Sequence, residues 1–231
     1  MSLDSVEDLR TIYRQPRVGP VEKVIHRIDP HCVDFLAKSP LLIMSTADAN
    51  GVCDASPKGG PPGFVEALDE QRVAWADYSG NNRLDSFQNL VDNPHLGLLF
   101  LIPGLDETLR INGTAELSVD PDLCQRFAVN GKPARVVVVV TVAEAYLHCA
   151  KALRRAEVWS PESWLEPAQV PSAPVIYRDH IGLDPDTDIA TMKQAQDRDL
   201  HRTLWEPGGS TADPRSDGGA GSDSHSGAEK G

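Results

Sequence analysis

The chain has 231 residues, 40% hydrophobic and 24% charged, the composition of one globular domain of ordinary size with length to spare for a tail. A net charge of −12 argues against general nucleic-acid binding, because polyanions are drawn to basic surfaces, yet it leaves room for a small basic pocket holding a small anion. No apolar run reaches the ~20 residues of a membrane helix, and the opening "MSLDSVEDLRTIYRQP" lacks an apolar export core, so a cytoplasmic chain with its four cysteines reduced is expected.

In chain order, residues 1 to about 20 are polar, with one short helix ending at Pro16 and Gly19-Pro20. Pro30 sits near the start of a helix in "DPHCVDFLAKSP", which Ser39-Pro40 stops. "LLIMSTAD" and "VCDASPKG" read as the two strands of a hairpin, with Asn50-Gly51 supplying the turn. "PPGFVEALDEQRVAWADY" offers two short strands around Leu68-Asp69-Glu70-Gln71. In "RLDSFQNLVDNP", Leu84, Phe87, Leu90 and Val91 recur at helical spacing until Asn93-Pro94. "HLGLLFLIP" and "TLRINGTAELSV" follow as strands. The "PGLDE" between them is too short for a helix, so the pair is expected to be antiparallel.

Asp120-Pro121 then starts a short helix. "ARVVVVVTVAEAYLHC" reads as a long central strand running on into "AKALRRAEVW", and its valine run reads as buried. "PESWLEPAQVPSAP" is expected to be a loop, and a last helix spans roughly Asp188 to Leu204. Residues 207–231 have almost nothing apolar to bury, so a disordered acidic Gly/Ser-rich tail is predicted after a domain of residues 1–206. Hairpin-linked strands with few helices predict a mainly β (α+β) fold, an antiparallel split or closed β-barrel with flanking helices, and not a βαβ chain.

Three clusters carry chemistry. "DASPKGGPPG" places Ser56, Lys58 and the Gly59-Gly60 amides at a strand end, groups suited to phosphate oxygens; its bland reading is a surface loop with a solvated lysine. Asn82 and Arg83 stand at the entry of the "RLDSFQNL" helix, where free amides and the helix dipole favour an anion. There the bland reading is a capping turn, with Arg83 exposed or paired to Asp77 or Asp85. In "LRINGTAEL", Arg110 begins an otherwise apolar strand, facing water or a ligand at a barrel rim. His31-Cys32 and His148-Cys149 are too isolated to argue for a metal. No GxSxG, HExxH, phosphate loop or GxGxxG occurs, which argues against the common hydrolases and a nicotinamide Rossmann site.

Together and in this order, "NGVCDASPKG", "VAWADYSGNNRLDSFQNLVDNPHLGLLFLIPG", "ETLRINGTAEL" and "AEAYLHCAKALRRAEVW" resemble the pyridoxamine 5′-phosphate oxidase-like flavoproteins, over roughly Leu36 to Trp159. The resemblance implies a six-stranded-type split β-barrel homodimer holding two FMN molecules at the subunit interface. It puts the phosphate contacts on Lys58 and Arg83, with Ser56 and Asn82 beside them, next to the Gly59 amide already singled out. It puts Arg110 near the flavin, and His148, Lys151, Arg155 and Trp159 in a late segment that reaches the partner's flavin. Two positions depart from the pattern: Lys58 stands where arginine is commoner, losing a bidentate fork, and Ala156 stands where a serine is expected. Vitamin B6 oxidation is not expected, since the substrate-binding features of the true oxidases are not evident at the C-terminus.

The function expected is therefore an FMN-dependent oxidoreductase passing a hydride through flavin N5 to or from a small molecule, with Tyr78 and His148 as candidate acids. Alternatives keep the barrel but bind the deazaflavin F420, or haem through His148 or His95, or use FMN only as a sensor or carrier. A dimer is expected because a split barrel leaves strand edges open and because the valine run is too apolar to face water, although a monomer core could also take it.

Overall fold

A computed structural model describes residues 2–209. After two short N-terminal helices, α1 (Val6–Ile12) and α2 (Val18–Glu22), helix α3 (Pro30–Leu36) leads into the sheet. Asp29 caps α3 by accepting from the Cys32 amide at 2.8 Å, and Pro30 fills the first turn, where no amide partner is needed. The strands are β1 (Leu41–Ala47), β2 (Cys53–Gly59), β3 (Glu66–Ala67), β4 (Arg72–Ala76), β5 (His95–Leu101), β6 (Thr108–Ser118) and β7 (Val137–His148). Helix α4 (Asp85–Asp92) joins β4 to β5, and α5 (Pro121–Arg126) joins β6 to β7.

All seven strands form one sheet in the order β2-β1-β5-β6-β7-β4-β3, with every pairing antiparallel. The antiparallel α+β class is as expected; the sheet has seven strands, of which β3 has only two residues. The β1–β2 turn uses Gly51 at φ +83°, a conformation that costs glycine little. Between Asn112 and Gly113 the β6–β7 register slips by one residue. A Cβ on Gly113 would lie 2.1 Å from the Thr141 carbonyl, so only glycine lets the strands approach at this bulge.

Strand alternation builds the main core. Leu42, Met44, Leu96, Leu98, Phe100, Leu109 and Ile111 point inward together with Val73, Trp75, Val138 and Val140. A second cluster lies on the other side of β4 and β7, where Ala74, Ala76, Val137 and Val139 meet Cys124, Phe127, Val129 and Ala134. The valine run is thus buried on both faces, which is why it does not alternate with polar residues. Its cover comes from α5 and the residues after it, within the same chain. The valines, covered within one chain, consequently give no reason to require a dimer, contrary to expectation.

Two further expectations change. The strand does not continue into "AKALRRAEVW": β7 stops at His148 and Lys151–Arg155 form helix α6. The loop expected before the last helix contains part of another, α7 (Ala173–His180), ahead of α8 (Ile189–Thr203). At the start of the predicted tail, Pro207 pairs with Tyr78 and both Pro207 and Gly208 are buried; residues 210–231 of that tail lie outside the described residues.

Candidate functional site

The site forms where the sheet curls β2 towards β4, two strands that no ladder joins among the described residues. In β2 the alternation turns Asp54, Ser56 and Lys58 to one half-buried face and leaves Cys53, Ala55, Pro57 and Gly59 exposed. Opposite them, β4 ends at Ala76 and the chain turns through Asp77–Leu84 into α4. Asn82 and Leu84 both adopt left-handed backbone, at φ +57° and +60°, which Asn tolerates and Leu does not favour. The turn is braced by Asn81 Oδ1, which accepts from the Arg83 amide at 3.1 Å, and by Gln88 Nε2, which donates to the Arg83 carbonyl at 3.0 Å. No side chain caps α4, so its first-turn amides have no capping partner.

These elements enclose a cavity of about 150 Å³ whose walls include Ser56, Lys58, Asn82, Arg83 and the first turn of α4. It shares Ser56, Lys58, Asp77, Tyr78, Gly80 and Asn81 with a neighbouring cavity of about 410 Å³, whose further walls include Pro57, Gly59, Phe64 and Trp75. The two form one groove, with a charged end and an aromatic end. The charged end is not simply basic. Asp54, Asp77 and Asp85 share it with Lys58 and Arg83. Arg83 Nε donates to Asp85 Oδ2 at 2.9 Å on an exposed surface, and the Ser86 hydroxyl donates to Asp54. Burial pushes the Asp77 carboxyl above its ordinary range, opposed by the ammonium of Lys58. Lys58 Nζ also lies 5.6 Å from the centre of the Phe87 ring.

Five of the ten expected residues, Ser56, Lys58, Gly59, Asn82 and Arg83, therefore meet in this groove. The other five do not line it. Arg110 and His148 occupy the side of β6–β7 turned away from the core, where Arg110 Nη1 donates to the Tyr146 hydroxyl at 3.0 Å. Burial, then the charges of Arg110 and Lys23, holds His148 below the usual histidine range. Lys151 and Arg155 are exposed on α6, and Trp159 Nε1 donates to the Leu105 carbonyl at 2.9 Å. His95 is also exposed, its Nδ1 2.9 Å from Asn93 Oδ1. Burial pushes the Cys32 thiol up to about 11, so that cysteine is an unreactive core residue. Among the described residues no cluster of His, Cys, Asp or Glu is placed to hold a metal, and no helix is long and apolar enough to cross a membrane.

The sequence reading missed Asp54, Phe64 and Trp75 in the groove. Asp54 was accessible, since strand alternation puts it on the face of Ser56 and Lys58. The aromatic wall was not, because it depends on how far the sheet curls.

The sequence matches the family model described as pyridoxamine 5′-phosphate oxidase over residues 28–149, more than half of the chain. The chain belongs to that family. The pyridoxamine 5′-phosphate oxidase match takes in all seven strands and both sides of the groove, and it ends just before α6. Solved structures similar to the chain include HupZ of Group A Streptococcus, 17% identical over 52% of this chain and 93% of that one, with a TM-score of 0.41. An F420 reductase is 16% identical over 52% and 98%, with a TM-score of 0.37. An FMN-binding protein from Syntrophomonas wolfei is 14% identical over 50% and 87%, with a TM-score of 0.36. No curated protein sequence is detectably similar to the chain.

Proposed function

We propose that the groove between β2 and the β4–α4 corner binds FMN and that the chain is an FMN-dependent oxidoreductase acting on a small molecule. The observation that carries this reading is the meeting of Ser56, Lys58, Asn82, Arg83 and an uncapped helix start in one cavity that opens into an aromatic-walled one. A flavin nucleotide has the same two ends, a phosphate carrying about two negative charges and a flat apolar ring. Ser56 and the α4 amides donate to phosphate oxygens, while Lys58 neutralises them as a point charge. Arg83 contributes its fork by turning from Asp85. That exchange is favourable because a solvent-exposed ion pair is weak and a bidentate phosphate contact is strong.

Phe64, Trp75 and Tyr78 exclude water from the ring end. When bound, the flavin supplies the hydride chemistry at N5, and the protein orients it and sets the field around it. In this reading Arg110, His148, Lys151, Arg155 and Trp159 serve the groove of a second copy in a cytoplasmic homodimer, which accounts for their absence from the walls of their own.

The experiment is an FMN titration of the flavin-free protein, followed by flavin fluorescence. Arg83→Ala and Lys58→Ala should each weaken binding roughly ten- to a hundredfold, the loss of one charge-assisted contact. Unchanged affinity in both variants would place the phosphate elsewhere.

A further inference from the structure

Beyond α6 the chain leaves the sheet. Helices α7 and α8 bury no residue, and after Ala145 the only buried residues among those described are Pro207 and Gly208. The chain returns for six residues, and it returns to the groove. The Ser79 amide donates to the Glu206 carbonyl at 2.9 Å and the Gly208 amide donates to the Asp77 carbonyl at 2.9 Å, so Tyr78 and Pro207 face each other in a short antiparallel bridge. Trp205 packs edge-on to Tyr78, with ring centres 6.2 Å apart and planes at 78°. Glu206 accepts from Lys132 Nζ at 2.5 Å. A Cβ on Gly208 would fall 1.8 Å from Asp77 Oδ2 and 2.6 Å from its Cγ, so no larger residue fits against that half-buried carboxylate.

Each end of this segment borders one end of the groove. Leu204 lines the larger, aromatic cavity and Gly209 lines the smaller, charged one. The segment forms a wall of both cavities and fills neither. Its attachments are two backbone hydrogen bonds, one aromatic edge contact and one exposed ion pair, a set small enough to break locally while the sheet stays folded. We propose that residues 204–209 are a strap that closes the outer side of the groove and governs how fast its ligand enters and leaves. The strap lies outside the matched family region, residues 28–149. The ligand named for it rests on the FMN reading above; the gating does not.

The test compares the full chain with Gly208→Val, whose side chain collides with Asp77, and with Trp205→Ala, which removes the aromatic contact. An unchanged denaturation midpoint shows that the sheet is intact. FMN release, followed after dilution into excess competing flavin, should speed up roughly tenfold in Gly208→Val and less in Trp205→Ala, since such contacts act mainly on dissociation. Release that stays within about twofold of the parent in both variants would overturn the strap. So would slower release, which would make the segment a plug competing with the ligand. A second readout needs no flavin: in the ligand-free chain, acylation of Lys58 by an amine-reactive ester should accelerate in Gly208→Val. If the parent binds no FMN, the cofactor reading fails alone. Lys58 acylation then decides, faster acylation upholding the strap and an unchanged rate overturning it.

Discussion

The centre of the sheet and the β4–α4 corner are built on opposite terms. Val138, Val140 and Phe100 are fully buried, their cross-strand partners are all apolar, and the backbone is held in antiparallel ladders. The corner has two non-glycine residues in left-handed backbone, an uncapped helix, a half-buried carboxylate and an arginine held only by an exposed neighbour. The first region is determined by its own packing. The second holds its charged groups at a half-exposed edge where apolar packing does not fix them, which is the setting that the proposed ligand site requires.

The difference can be broken from the stable side first. Phe100→Ala removes a fully buried ring and should cost about 3–5 kcal/mol in a denaturant titration, taking the groove with the sheet. Alanine at Arg83 should do the reverse, weakening FMN while leaving the flavin-free midpoint where it was. Asp85→Asn sharpens the contrast further. It frees Arg83 from its only ion-pair partner among the described residues and thins the negative charge in the cavity. FMN affinity should therefore rise a few-fold, read by the same titration, and a fall would show that Asp85 positions Arg83 for the phosphate.

Asp77 gives the corner a pH signature. Its folded pKa lies above its ordinary value of 3.8, so the stability it confers is complete in acid and is lost as pH rises through the folded pKa. Asp77→Asn should accordingly be more stable than the parent at neutral pH, with the gain disappearing as pH falls below that ordinary value. Equal stability across the range would mean that the carboxylate is solvated.

The smallest effect is at Leu84, half exposed at φ +60°. Replacing it with glycine relieves about 1–2 kcal/mol of left-handed strain but adds ~0.5–1 kcal/mol of lost backbone freedom, for a net gain of under about 1.5 kcal/mol in thermal unfolding.

Much of this was legible in the chain. Alternation in "LLIMSTAD", "HLGLLFLIP" and "TLRINGTAELSV" marks strands because each buries one face, and Asn50-Gly51, Asn93-Pro94 and Asp120-Pro121 punctuate them through backbone sterics. The pairing of Lys58 with Arg83 was legible only through the order of motifs, since the two lie on separate elements that tertiary folding brings together. What stayed hidden had no local signal. The valine run reads as buried, but nothing in it says that α5 is the cover. "EPGG" reads as the edge of a disordered tail, because glycine that fits a crowded backbone contact and glycine that fits nothing look alike in sequence.

Whether this groove holds FMN is read from the absorption spectrum of the freshly purified protein, with the mass of whatever heat releases. FMN bound in the groove predicts the two visible bands of an oxidised flavin and release of FMN, restored by added FMN if the site empties on purification. A Soret band, release of F420, or a protein that stays colourless after FMN is added would contradict it.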